Sequence, residues 1–188
     1  MGRRAKALIL TGELGSRSRQ ETDADAKWLL HIGGRPLLDY RVRCLTEARI
    51  AEAWIATHSH AHAACAQKYI ESLDASSWLH LAVSYNPDVL GLAEAVAANV
   101  DLADESDEVI VIHNNSVGDI DVRPLIEFHC QHDDPLRMVL FRASKPFACD
   151  TAEINEEGRI VSFVEKPGVA DKRSSKCWPL CARCRSLP

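Results

Sequence analysis

The chain has 188 residues, 46% of them hydrophobic and 26% charged, with a formal net charge of −5. That is enough chain to bury one sizeable core. No apolar run reaches the roughly 20 residues of a membrane-spanning helix, and the mild acidity gives no general affinity for nucleic acid. The basic start, Met1-Gly2-Arg3-Arg4-Ala5-Lys6, is followed only by residues 7–11 before Gly12. This is too short for a secretory leader, so the seven cysteines read as reduced thiols of a cytoplasmic protein.

In chain order, residues 5–11 are a short aliphatic run, hence a buried strand. Residues 12–35 are mostly polar, contain four glycines and form a long loop of the kind kept for function. Pro36 opens a helix to about residue 48, with Leu37, Leu38, Val42 and Leu45 on one face. Residues 51–57 read as a second strand, 62–73 as a second helix and 79–85 as a third strand. A small-residue helix over 91–103 follows, then a fourth strand over 108–112 that ends in His113-Asn114-Asn115-Ser116-Val117-Gly118-Asp119. A helix over 122–132 and a fifth strand over 136–142 complete the alternation. Residues 151–154 and 159–165, joined by Asn155-Glu156-Glu157-Gly158, read as a β-hairpin.

Repeated strand–helix–strand alternation predicts a three-layer α/β/α fold, a mainly parallel twisted sheet with helices on both faces and the small hairpin near the C-terminus. Ligands then belong at the carboxyl ends of the strands, from Thr11, Thr57, Tyr85 and Ile112 onward. At the first of these ends stands Gly12-Glu13-Leu14-Gly15-Ser16-Arg17, closed by Lys27. Glycines let backbone approach phosphate, and an arginine after them neutralises it bidentately. His58, His60 and His62 alternate after the second strand and read as solvated loop histidines.

The order of these motifs resembles the catalytic domain of the sugar-nucleotidyltransferases over residues 5–167. Family members carry Gly-Gly-x-Gly-Thr-Arg-Leu-x-Pro-Leu-Thr after the first strand, then Pro-Lys-Pro-Leu-Leu-Pro-x-x-Gly-Lys-Pro-Leu. This chain has Gly12-Glu13-Leu14-Gly15-Ser16-Arg17, then Ala26-Lys27-Trp28-Leu29-Leu30-His31-Ile32-Gly33-Gly34-Arg35-Pro36-Leu37. Leu90-Gly91-Leu92-Ala93-Glu94-Ala95 is similar to a Leu-Gly-Thr-Ala-Gly segment, and Glu157-Gly158-Arg159-Ile160-Val161-Ser162-Phe163-Val164-Glu165-Lys166-Pro167 follows the family nearly letter for letter.

The resemblance implies a nucleotide-diphospho-sugar transferase-like fold and a reaction joining a nucleoside triphosphate to a sugar 1-phosphate, with pyrophosphate released. It implies Arg17 and Lys27 as the catalytic cations, and Gly12, Gly15, Ser16 and Gly91 around the nucleotide. Glu165 and Lys166 are implied on the sugar phosphate. Mg²⁺ is expected at the position of Asn115, where relatives read Tyr-Ala-Asp-Asn-Leu; an amide there is a neutral, weaker ligand than the family aspartate. The expected partners are the two small substrates, with no nucleic acid, no membrane and a possible homo-oligomer through an open sheet edge.

The departures fall on functional positions. Glu13 and Glu94 stand on glycine positions, and a carboxylate about 4 Å from another negative charge near a surface costs roughly 4 kcal/mol. Trp28 and His31 replace loop prolines, which predicts a loosened loop. Asp150 falls on the glycine of a Cys-Gly-x-x-Glu segment. These substitutions support a second reading, an inactive relative that binds nucleotide or sugar phosphate or regulates an active homologue.

Domain 1–167 is followed by a stretch, 168–188, expected to be an out-of-frame, poorly ordered tail. Where the family continues Ala-Asn-Ala-Gly-Leu-Tyr-Val, this chain has Ser175-Lys176-Cys177-Trp178-Pro179-Leu180-Cys181-Ala182. Codons AGC-AAA-TGC-TGG-CCT-TTA-TGT-GCN read from the second base give the family peptide, a match that the gene sequence decides. Cys177, Cys181 and Cys184 then read as accidental rather than as a zinc knuckle.

Overall fold

The computed structural model describes residues 5–11, 27–73, 78–88, 92–102, 108–114, 120–142, 150–164 and 175–183, with backbone alone for Lys27, Leu92, Val100, Arg142 and 175–183. The chain divides into two compact units, Met1–Arg137 with Cys181–Pro188, and Met138–Leu180.

The first unit opens with β1 (Ala5–Leu10), then a 3-10 turn at Lys27–Leu29 and a two-residue hairpin, β2 (His31–Ile32) and β3 (Arg35–Pro36). It continues through α1 (Leu37–Glu47), β4 (Glu52–Thr57), α2 (His60–Ser72), β5 (His80–Tyr85), α3 (Leu92–Ala97), β6 (Glu108–His113) and α4 (Arg123–Cys130). Here the strands run in the order β5-β4-β1-β6, and every pairing is parallel. The four long strands lie where the aliphatic runs predicted them.

Burial on both faces makes those runs continuous rather than alternating. Ala7 and Ile9 of β1 sit in register with Ala53 and Ile55 of β4 and with Ile110 and Ile112 of β6. They share a core with Leu38 and Leu45 of α1 and Ala66 and Tyr69 of α2, while Leu125 and Ile126 of α4 pack against it. The alternate residues, Leu8, Leu10, Val109 and Val111, are buried outside that cluster, as is Val96 of α3, which packs on β1. Helices therefore cover both faces.

Local signals fix the ends of the elements. Gly33 (φ +59°) and Gly34 (φ +83°) make the β2–β3 turn, where two successive positive φ angles favour glycine. The Tyr40 hydroxyl donates to the Ile32 carbonyl at 2.6 Å, tying this hairpin to α1. Helix α1 closes with Arg49 in the left-handed region (φ 58°), the Arg49 N–H on Thr46 O and the Ile50 N–H on Leu45 O, each 3.0 Å. The accompanying apolar contact joins Leu45 and Ile50, both in the core. Tyr69 of α2 donates to Asp39 Oδ1 of α1 at 2.6 Å, and burial, then the Asp39 carboxylate, pushes the phenol pKa far upward. Cys44 is half-buried against Ile120 O at 3.0 Å, and burial raises its thiol pKa. One turn earlier on the same side of α1, burial lowers the pKa of the Arg41 guanidinium.

In the second unit, β7 (Leu136–Arg142) enters from the first, and β8 (Thr151–Ile154) pairs antiparallel with β9 (Ile160–Val164). Their turn uses Gly158 at φ +77°, and Asn155 Oδ1 accepts from the Arg159 N–H at 2.8 Å. This is the predicted hairpin.

Residues 175–183 form a further strand, β10, antiparallel to β8 through Ser175 and Ala152 and paired with β7. Of the stretch expected to be a tail, residues 168–174 and 184–188 lie outside the described residues. On its other side β8 pairs β9, whose residues are all exposed, Val161 at 60% and Phe163 at 51%.

Candidate functional site

The strand order creates one privileged position. The chain winds outward from β1 to β4 to β5, then returns through α3 to place β6 on the other side of β1. The carboxyl ends of β1 and β6 are therefore the topological switch point, the position where parallel α/β sheets bind ligands.

Leu10 pairs with His113 in the β1–β6 register, and the Asn114 N–H donates to Leu10 O at 3.0 Å. On the other flank, the Thr11 hydroxyl donates to Ala56 O of β4 at 2.7 Å. These bonds hold the two strand ends level. Gly12 and Asn115, the first residues of the two loops singled out in the sequence, thus depart from adjoining strands one residue beyond Thr11 and Asn114.

Gly12, Gly15, Ser16, Arg17 and Glu13 lie outside the described residues, as do Gly91, Asn115, Asp119, Glu165 and Lys166. What the structure gives is their roots. Gly91 immediately precedes α3, and Glu165 and Lys166 follow the last residue of β9 in the second unit.

Lys27 is described by its backbone, in the 3-10 turn with Trp28 and Leu29. Trp28 is 1% exposed and belongs to the main core, and Leu29 packs against it. The proline replacement predicted a loosened loop. In the structure the indole anchors this turn, because a large apolar ring gains more from burial than the lost φ restriction costs. Its ring meets His62 edge-on with centroids 6.3 Å apart. The second replaced proline position, His31, is exposed in β2.

Beyond β4, Thr57, His58 and Ser59 lead into α2, whose N-cap Ser59 accepts from the His62 N–H at 3.5 Å. Two of the expected loop histidines, His60 and His62, are therefore helical, since Ser59 caps the helix earlier than the apolar pattern suggested. His60 is exposed and its ring lies 5.6 Å from that of Tyr85, while His58 and His62 are half-buried with centroids 6.4 Å apart. Among the described residues no group of three or more His, Cys, Asp or Glu could hold a metal ion.

Asp121 is the described carboxylate nearest in sequence to the expected metal position, and it has another task. Its Oδ1 accepts from the Arg123 N–H at 3.0 Å, and both oxygens are forked by the Arg123 guanidinium at 2.7–3.0 Å. The side-chain bonds to Arg123, then the backbone N–H, hold its carboxyl below the usual range. It closes a turn onto Arg123, the first residue of α4, and pairs with that residue's guanidinium. Glu94, in the first turn of α3, is exposed, so this departure from the family points away from the core, and Asp150 is half-buried before β8.

Sequence reasoning missed one residue here. Asn114 is 3% exposed, and among the described residues neither its Oδ1 nor its Nδ2 has a hydrogen-bond partner. The only available signal was the Asn114-Asn115 pair after an apolar strand, of which the resemblance drew attention to the second member alone.

Comparisons with known proteins agree with this architecture. The family model described as Nucleotidyl transferase matches residues 6–176. The chain is 27% identical over 168 residues to the mannose-1-phosphate guanylyltransferase catalytic subunit beta of Drosophila melanogaster, covering 89% of this chain and 45% of that protein. It is 29% identical over 164 residues to the glucose-1-phosphate thymidylyltransferase of Streptomyces griseus, covering 86% and 44%. The chain thus spans less than half the length of these curated relatives. Among solved structures, HddC from Yersinia pseudotuberculosis superposes with a TM-score of 0.76 at 18% identity, over 97% of this chain and 78% of that one. A Bacillus anthracis chain assigned as a glucose-1-phosphate thymidylyltransferase gives 0.77 at 20% identity, over 96% and 72%. These neighbours share the fold of the nucleotide-diphospho-sugar transferases, and with the family match over most of its length the chain belongs to the nucleotidyl transferase family.

Proposed function

We propose that this domain binds a nucleoside triphosphate at the β1–β6 switch point, takes a sugar 1-phosphate as its second substrate, and joins the two into a nucleoside diphosphate sugar. An oxygen of the sugar phosphate attacks the α-phosphorus in line, the bond to the β-phosphate breaks and pyrophosphate leaves. The observation that carries this reading is the register of β1 and β6, which roots the glycine loop and the Asn115 loop at adjoining strand ends.

In this reading Gly12, Gly15, Ser16 and Gly91 form the nucleotide cradle, and Arg17 and Lys27 neutralise the phosphates as charge moves to the leaving group. Glu165 accepts from sugar hydroxyls and Lys166 meets the sugar phosphate. The setting proposed for this reaction is cytoplasmic.

The described residues do not supply a magnesium site: they hold no ligand group of sufficient size, and the Asp121 carboxylate is taken by Arg123 and the α4 backbone. A cation here depends on residue 115, where asparagine offers one neutral oxygen.

Asn115 also favours the second reading, in which the chain binds substrates with little turnover. Pyrophosphate release, measured with each of ATP, GTP, UTP and dTTP against mannose 1-phosphate and glucose 1-phosphate, separates the two. The expected result is slow release that rises tenfold or more in Asn115→Asp, together with tighter Mg²⁺-dependent nucleotide binding. Binding without release in either protein supports the second reading. No binding and no release in either contradicts both.

A further inference from the structure

Polar side chains that are buried in folded proteins nearly always have hydrogen-bond partners, and each exception calls for an explanation, such as a functional role or a bound water or ion. Asn114 is such an exception. It stands directly after β6, is 3% exposed, and its backbone is fixed to Leu10 O at 3.0 Å, so the residue is held at the switch point. Among the described residues, neither atom of its carboxamide is paired.

The chemistry of the amide narrows what completes it. Oδ1 accepts only, and Nδ2 donates only. A phosphate oxygen answers the nitrogen and leaves the carbonyl empty. A hydroxyl both donates and accepts, so neighbouring hydroxyls of a sugar ring answer both ends at once. We propose that Asn114 is a ligand-binding residue whose buried carboxamide takes sugar-ring hydroxyls of a substrate bound at the β1–β6 switch point. The ring is the ribose of the nucleotide or the hexose of the sugar 1-phosphate, two sources of one chemistry. This rests on the nucleotide and sugar phosphate reading given above and adds a specific contact to it.

The amide also makes an unusual prediction for the empty protein. Removing a side chain that has no partners loses no hydrogen bond, so Asn114→Ala should melt no lower than the parent, whereas a structural asparagine would lower the melting temperature.

The test is isothermal titration of the parent, Asn114→Ala and Asn114→Ser with ATP, GTP, UTP, dTTP, mannose 1-phosphate, glucose 1-phosphate and pyrophosphate, beside thermal melts of each. The expected result is a tenfold or greater loss of affinity in Asn114→Ala for the nucleotide or for the sugar phosphate. Pyrophosphate binding stays unchanged, melting does not fall, and the serine hydroxyl restores part of the loss. Which substrate weakens identifies the ring. Unchanged affinities for ligands that the parent binds overturn this inference alone. An equal loss for pyrophosphate overturns it too, because the contact is then to phosphate, and so does a clear fall in melting temperature. A parent that binds none of these ligands overturns the functional reading, and this inference with it.

Discussion

Trp28→Ala is expected to lower unfolding free energy by about 3–5 kcal/mol, the usual cost of truncating a buried large aromatic ring. Urea denaturation monitored by circular dichroism checks it. Trp28 is 1% exposed and shares the core with Leu38, Leu45, Ile9 and Ile112, so the cavity would open at the junction of α1 with the sheet. A second effect follows from position. The indole pins the turn that contains Lys27, so nucleotide affinity should fall further than in Trp28→Phe, which keeps a ring in the core. The indole N–H of Trp28 has no partner among the described residues, and phenylalanine therefore loses ring area but no hydrogen bond. A Trp28→Ala protein as stable as the parent would show that the turn is not anchored in this way.

The second large effect is expected at Glu108 of β6 and His129 of α4. Their side chains are fully buried, with His129 Nε2 2.9 Å from Glu108 Oε2. Removing one member takes a buried polar partner from the other, which costs about 3–5 kcal/mol for a buried pair. Glu108→Ala should therefore unfold at markedly lower urea. Replacing both members by leucine should cost less than the single change, because the polar demand disappears with its partner and the volume is refilled. A double replacement worse than Glu108→Ala would mean that the pair acts through its other contacts rather than through each other.

The sheet was legible because of its own physics. Strands β1 and β6 are covered on both faces, and such strands must be written as unbroken apolar runs, Ala7 to Leu10 and Val109 to Ile112. Helix α1 announced itself through Pro36 and its apolar face. The β2–β3 hairpin was hidden because two-residue strands carry no periodicity, and only the Gly33-Gly34 turn marks it. Strand β10 was hidden for another reason: its composition departs from the family, and strand pairing is decided by what the neighbouring strand offers as much as by the segment itself.

For the site, the sequence named the loops, while the fold supplied their proximity. Nothing in the spacing of Gly12 and Asn115 says that β6 pairs with β1 rather than with β5. The order of strands is a property of the packed sheet. Trp28 illustrates the reverse case, where a residue that looks like the loss of a loop proline proves to be a core anchor once its burial is seen. Asn114 was not singled out by its residue type, and its burial is what draws attention to it.

The central claim is that the β1–β6 switch point binds a nucleoside triphosphate through the loop between Gly12 and Lys27. Isothermal titration of the parent and of Arg17→Ala with ATP, GTP, UTP and dTTP tests it most directly. The account predicts saturable one-to-one binding of at least one triphosphate, weakened tenfold or more by Arg17→Ala, with melting temperature unchanged. Absence of binding for all four, or equal binding in the parent and Arg17→Ala, would contradict it.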